Sequence, residues 1–266
     1  GLPYWIIRNS LWDYFHPLEK DLSTDVVIVG SGITGALMAH ELCHAGIKCC
    51  IVDKRSIATG SSAASTALLQ YEIDVPLCRM AKIIGEENAA TAYHACLQSI
   101  SDIKRVLEET GVNAGFEQLP SLFYASSAAD NKLLEQEHEI RQKHKLPVNL
   151  LEKKKIKEEY KVKTPGNALI NEASAQMDAY RAATGLLAYH IKESGLKVFT
   201  HTSIKECIET SDGCIMTTDR GHKIKCGYVI IATGFEAGQF LPQKIMDLTS
   251  TYALVSHPVA SEHLWP

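Results

Sequence analysis

No apolar run in this chain is long enough to span a bilayer, so nothing in it predicts a transmembrane helix. The N-terminus also lacks the basic start and apolar core of a signal peptide. These two absences predict a cytoplasmic protein with no membrane association. Charge of one sign is lacking too: the formal net charge is −4, which asks for neither nucleic acid nor an acidic surface as partner. Eight cysteines are present, but no pair has Cys-x-x-Cys spacing. They read as small buried hydrophobes in a reducing compartment, not as a disulfide frame or zinc site. No internal repeat is visible, and no strong acid–base pair stands out.

What is present is ordinary in bulk. The 266 residues are 45% hydrophobic and 22% charged, enough for one or two globular domains with a sizeable core. One stretch is not ordinary. Val26–Val29 is a short β-branched run bounded by polar residues and glycine, and reads as a buried strand. It runs into Gly30-Ser31-Gly32-Ile33-Thr34-Gly35. Gly30 lets the chain turn sharply, Gly32 leaves room for a pyrophosphate, and Gly35 lets the next helix pack closely. The helix start then offers free amides and the positive end of its dipole to phosphate. Gly46 stops this helix, and Ile47–Val52 forms a second, parallel strand ending at Asp53. A carboxylate about twenty residues past the glycines accepts hydrogen bonds from a ribose and repels a 2′-phosphate. Strand, glycines, helix, strand and acid in this order predict dinucleotide binding.

The rest of the chain adds detail. The aromatic arm over residues 1–20, with Tyr4, Trp5, Trp12, Tyr14 and Phe15, is expected to fold back over the main domain. Thr59–Gln70 is small and hydroxyl-rich before turning apolar at Ala67-Leu68-Leu69. It reads either as a backbone laid against a flat ligand or as a flexible linker, and its place after the fingerprint favours the ligand. Pro76 opens a helix ending near Gly85, and a long helix runs from Glu86 to Thr110. A strand follows at 122–124, then two charged helices over 130–145 and 151–161. Lys153–Lys155 is interleaved with glutamates and reads as a solvated helix face. Met177-Asp178 leads into a helix ended by Gly195. Strands are expected at 197–200, near Ile204, Ile215 and Ile224, and at 228–232, the last breaking at Thr233-Gly234.

A competing motif needs weighing. His40-Glu41-Leu42-Cys43-His44 matches the His-Glu-x-x-His zinc pattern. At roughly 100° per residue, the stripe Gly35, Ala39, Leu42, Gly46 would face the sheet and leave both histidines toward solvent. A catalytic zinc also needs a third ligand and a cleft. The histidines are therefore read as surface residues, with no metal.

Taken together, Gly30–Gly35, Asp53, Gly60-Ser61-Ser62, Ala232-Thr233-Gly234, the N-terminal arm and Met177-Asp178 resemble the flavin-dependent oxidoreductases of the D-amino-acid oxidase type. The glycine and sarcosine oxidases and γ-glutamylputrescine oxidoreductase-like proteins are the nearest in style. The resemblance implies FAD as cofactor. Its contacts would be Gly30, Ser31, Gly32, Ile33, Thr34, Gly35, Asp53, Lys54, Ser61, Ser62, Ser65, Thr66, Ala67, Leu68, Ile204, Ala232, Thr233 and Gly234. Ala67 departs from the glycine usual near the ring, and Ala179 from the usual proline. The family also runs well beyond 266 residues. The expected architecture is α/β: a discontinuous Rossmann-like FAD-binding domain over 1–85 and 162–240, with an inserted mixed α/β substrate domain over 86–161 and 241–266, its C-terminal part missing. The implied reaction is oxidation of a C–N bond in a small amine or amino acid, by hydride transfer to flavin, giving an imine. No catalytic residue is named, since the resemblance puts substrate-holding groups in the missing part. This piece is expected to hold flavin weakly and to be inactive alone. Two other readings stay open: a non-catalytic nucleotide-binding fragment or subunit, and an NAD-dependent dehydrogenase.

Overall fold

The computed structural model describes residues 2–12, 14–241, 247 and 249. The sequence also suggests a final strand over 251–255, which lies outside them. The chain opens with a short helix, α1 (Tyr4–Asn9), which buries Trp5 and Ile6. The arm does fold back: Trp5 Nε1 donates to the Ser65 carbonyl at 2.8 Å, and the Trp12 amide to the Tyr180 hydroxyl at 3.0 Å. Strand β1 (Leu22–Val29), helix α2 (Ile33–His44) and strand β2 (Cys49–Val52) follow in the expected order. Helix α2 ends in a Schellman motif. The Ile47 amide donates to Leu42 at 2.9 Å and the Gly46 amide to Cys43 at 3.0 Å, with Gly46 at φ +71°.

Next come β3 (Leu68–Leu69), α3 (Leu77–Ile84) and the long α4 (Glu86–Thr110). After them run β4 (Glu117–Gln118), β5 (Ser121–Tyr124), α5 (Asn131–Lys143), β6 (Asn149–Leu151), α6 (Lys153–Tyr160), β7 (Ala168–Asn171) and β8 (Ala175–Gln176). The helix expected from residue 151 starts at Lys153 instead. Asn149–Leu151 is drawn into a strand by antiparallel pairing with β7, a partner the local charge pattern does not announce. Lys154 and Lys155 lie beside Glu158 and Glu159 at 3.9 and 3.8 Å, on an exposed face as read. The chain closes with α7 (Ala179–Ser194), β9 (Lys197–Phe199), β10 (Ile204–Thr210), β11 (Gly213–Thr218) and β12 (Lys223–Ile231). Asp178 caps α7, its Oδ1 accepting the Arg181 amide at 2.9 Å. The two strands expected around Ile224 and 228–232 are one strand, β12.

Contacts divide the chain into two compact units. The described residues of the first fall within Gly1–Thr66, Leu107–Ala114 and Asp178–Ala253. It holds a six-stranded sheet in the order β10-β11-β12-β1-β2-β9. The four strands β12, β1, β2 and β9 are parallel, with β10 and β11 added antiparallel at one edge. A central parallel strand must be apolar on both faces, which is why Val26–Val29 does not alternate with polar residues. Val27, Val29, Cys50, Val52, Met216 and Ile224 form one core with Leu18. Ile28 and Ile51, wholly buried, belong to the other face. Burying each such large side chain is worth roughly 1.5–3 kcal/mol, against 0–1 kcal/mol for a surface ion pair, so apolar burial sets the register.

Helix α2 packs on β1, β2 and α7 together. Its buried residues are Gly35, Ala36, Ala39 and His40. That face is turned about 60° from the stripe read in the sequence, at roughly 100° per residue. The expectation that His40 faces solvent is therefore corrected. His40 is 5% exposed, and its Nδ1 lies 3.0 Å from His190 Nε2 on α7. Only His44 is exposed.

The second unit's described residues fall within Ala67–Val106 and Gly115–Met177. It contains two three-stranded sheets, β3-β8-β4 and β5-β7-β6. Residues 67–85 and 162–177 pack here, not with the nucleotide-binding part to which the sequence reading gave them. Tyr71 and Leu77 enter one core with Tyr93, and β7 and β8 pair only within this unit. Its core holds an ion network: Arg141, 1% exposed, donates from Nε to Glu137 at 2.7 Å and from Nη1 to Glu72 at 3.1 Å. Glu137 in turn accepts the Leu77 and Cys78 amides at 2.9 and 2.8 Å. Among the described residues no helix is long and apolar enough to cross a membrane. Cys50, Cys78 and Cys226 are buried as expected, but Cys43, Cys49, Cys96 and Cys214 are half-buried and Cys207 is exposed. All eight cysteines are free.

Candidate functional site: a glycine-lined cleft at the end of the parallel sheet

The site starts where β1 runs out. Gly30 turns at φ +111°, and a Cβ there would lie 2.4 Å from the Ala232 carbonyl oxygen. A Cβ on Gly35 would lie 2.0 Å from the Gly30 carbonyl oxygen. Neither position admits a side chain, so the turn from strand to helix is closely packed. Gly32, the residue before α2, is less crowded, with its nearest neighbour the Ser62 Oγ at 3.1 Å from a Cβ position. The Ser62 hydroxyl accepts the Ile33 amide at 2.9 Å, while the Thr34 and Gly35 amides have no partner among the described residues. Helix α2 thus presents donors at its N-terminus, with no acidic residue in its first turn.

Asp53 stands just past β2 and is bonded to this turn. Its Oδ2 accepts the Ser31 amide at 2.8 Å and the Ser31 hydroxyl at 2.6 Å; its Oδ1 accepts the Arg55 amide at 2.8 Å. A carboxylate has about four lone-pair positions, so at least one is left for an incoming hydroxyl. The same group therefore shapes the glycine turn and can receive a ligand.

These residues line a cleft of about 910 Å³, within the range of small-molecule and cofactor sites. Fourteen of the residues singled out in the sequence lie along it: Gly30, Gly32, Ile33, Thr34, Asp53, Lys54, Ser61, Ser62, Ser65, Thr66, Ile204, Ala232, Thr233 and Gly234. Four do not. Ser31 is wholly buried under Asp53, and Gly35 is packed on Gly30. Ala67 immediately precedes β3, and Leu68 lies in it, 65% exposed. Ala67 has φ +73°, a left-handed conformation that glycine adopts without strain, which gives a backbone reason for the usual glycine there.

Sequence reasoning missed Arg55, Thr202, Phe235, Glu236 and Phe240, which also line the cleft. Glu236 lies 2.5 Å from Lys54 Nζ and 3.1 Å from Arg55 Nη2. The Lys54 ammonium, and then Arg55, hold its carboxyl below the usual carboxylate range. No local signal pairs residues 54 and 236; only the adjacency of β1 to both β2 and β12 does. One polar atom of a residue lining the cleft is orphaned: Thr233 Oγ1 is buried without a hydrogen-bond partner among the described residues. Leaving such a group unpaired costs about 1–3 kcal/mol.

A sequence profile of the DAO family, described as FAD dependent oxidoreductase, matches residues 25–266. Among curated proteins, a putative Rieske 2Fe-2S iron-sulfur protein of Bacillus subtilis is 23% identical over 232 residues, covering 87% of this chain and 44% of its own length. Glycine oxidase from Geobacillus kaustophilus superposes with a TM-score of 0.68 at 22% identity, over 82% of this chain and 57% of that one. The FAD-bound L-α-glycerophosphate oxidase of Mycoplasma pneumoniae gives 0.66 at 20% identity, over 82% and 56%. The chain spans about half the length of these relatives. The profile covers both the glycine turn and the Ala232–Gly234 edge, and it displaces the nicotinamide reading in favour of flavin. The chain belongs to the DAO family of FAD-dependent oxidoreductases.

Proposed function

We propose that the cleft of the first unit holds FAD in an enzyme that oxidises the C–N bond of a small amine or amino acid, and that the second unit is a substrate domain. The residues fit the cofactor. The open N-terminus of α2 and the bare Gly30–Gly32 turn suit a pyrophosphate, and Asp53 a ribose hydroxyl. Ser61, Ser62, Ser65 and Thr66 offer hydroxyls and backbone along the cleft, and Ile204 backbone on the adenine side. The observation that carries the reading is the bare glycine turn closed by Asp53, which leaves the N-terminal amides of α2 and a carboxylate lone pair at the cleft. Bound FAD supplies the hydride acceptor. The chain's own part is to bind, orient and exclude water: Asp53 fixes the turn through Ser31, and Lys54 and Arg55 hold Glu236 at the cleft edge. The imine product is then hydrolysed by water. The eight free cysteines support a cytoplasmic location.

The amine half of the reading rests on the motif resemblance and on likeness to glycine oxidase. The comparable likeness to a glycerophosphate oxidase favours a second reading, oxidation of a phosphorylated polyol. FAD titration of the purified protein, followed by anaerobic addition of amino acids, amines and glycerol 3-phosphate, separates them. Bleaching of the flavin band by an amine or amino acid is the expected result. Bleaching only by the polyol phosphate transfers the assignment, and bound flavin that nothing reduces leaves a non-catalytic subunit.

A further inference from the structure

At the end of the parallel sheet away from the glycine turn lies a second cavity, of about 510 Å³, lined by Cys43, Cys49, Cys50, Lys48, Ser194 and Lys197 among others. Cys43 is on the last turn of α2 and Cys49 opens β2. Their sulfurs are 3.9 Å apart. A disulfide is about 2.05 Å long, so the sulfurs need to close by about 2 Å. The connecting residues 45–48 are exposed, and a Cβ on Gly46 would meet no atom within 4 Å, so the loop has room to adjust.

We infer that Cys43 and Cys49 form a thiol–disulfide exchange site that takes a small anionic disulfide from solution. Both sulfurs are half-buried on the cavity wall, where a ligand can reach them. The Cys49 thiol hydrogen-bonds Cys43 and pulls it down to about 7; burial opposes this and the Ser194 hydroxyl assists. Cys49 is correspondingly pushed up. The pair thus shares one proton, with Cys43 as the thiolate nucleophile. Ser194 is itself held 3.2 Å from His190 Nδ1. Lys48 and Lys197 supply positive charge for a carboxylate-bearing ligand. Cys50, beside them in sequence, is 1% exposed and raised to about 12 by burial, so it stays inert.

The steps balance. The Cys43 thiolate attacks one sulfur of the external disulfide, forming a mixed disulfide and expelling a thiolate. Cys49 gives up its proton to that thiolate and attacks the Cys43 sulfur, expelling the second half as a thiolate. The two protein sulfurs are oxidised by two electrons, and the external disulfide is reduced to two thiol equivalents.

The test is incubation of the native chain with oxidised glutathione, rapid alkylation and tryptic mass mapping. Cleavage after Lys48 separates Cys43 from Cys49-Cys50, so a linked pair of peptides reports the bond. Cys43–Cys49 is expected to form about tenfold faster than glutathione adds to exposed Cys207. Cys50→Ser should leave the link unchanged, and Cys49→Ser should trap glutathione on Cys43. Circular dichroism of each variant confirms the fold. Reaction at Cys207 with Cys43 and Cys49 still reduced, or a link that moves to Cys50, would overturn the inference.

Discussion

Asp53 and Arg141 are both charged groups seated by hydrogen bonds, yet their partners come from different distances along the chain. Asp53 takes its donors from Ser31 and Arg55, within one strand–helix–strand unit. Arg141 takes Glu137 from one turn away but Glu72 from across the second unit, and its guanidinium lies 5.4 and 5.5 Å from the rings of Tyr71 and Tyr93. The first group is half-exposed and organises a loop for a ligand. The second is sealed in a core and organises packing. A charge placed for binding keeps spare lone pairs at a cleft; a charge placed for architecture is enclosed by its neighbours.

The comparison breaks most sharply at Arg141. Arg141→Ala strands Glu137 in the core and should cost about 3–5 kcal/mol in urea unfolding. The triple variant Arg141→Met/Glu137→Gln/Glu72→Gln should recover more than half of that, because no lone charge remains. Gly30→Ala comes next. A methyl 2.4 Å from the Ala232 oxygen at φ +111° should cost about 2–4 kcal/mol and abolish FAD binding, read by unfolding and flavin fluorescence. Asp53→Ala should spare most of the stability but weaken FAD by about 10- to 100-fold, since hydrogen bonds to a charged group are worth about 1.5–3 kcal/mol. An equal loss of stability at Asp53 and Arg141 would erase the contrast.

The smallest effect concerns pH. Burial, reinforced by His40 and His44, holds His190 below the usual histidine range. Its folded value lies under the unfolded one near 6.5, so the unfolded chain binds the extra proton first. The stability is present above about pH 6.5 and lost as pH falls below it. His190→Gln should flatten the change in urea midpoint between pH 7.5 and 5.

The same contrast explains what the sequence could tell. Gly30, Gly35 and Asp53 are legible because their steric and hydrogen-bonding demands are met within a few dozen residues. Glu236 was not, since its partners Lys54 and Arg55 come alongside only when β12 and β2 flank β1. His40 was misjudged for the same reason: the face of α2 was read against the sheet alone, while α7 covers it from another side. Asn149–Leu151 reads as helix locally and becomes a strand through β7.

The pairing of β1 with β12 sets Leu22 opposite Ile224 and Val29 opposite Ile231. On the ribosome, one edge of β1 therefore waits for a partner about 200 residues away. At roughly 5–20 residues per second that delay is about 10–40 s. Throughout it, a hydrophobic strand edge stands open to the wrong neighbour. The wall of the cleft that carries Thr233 thus arrives about 200 residues after the glycine turn it completes, and helpers that shield nascent chains have a long task here.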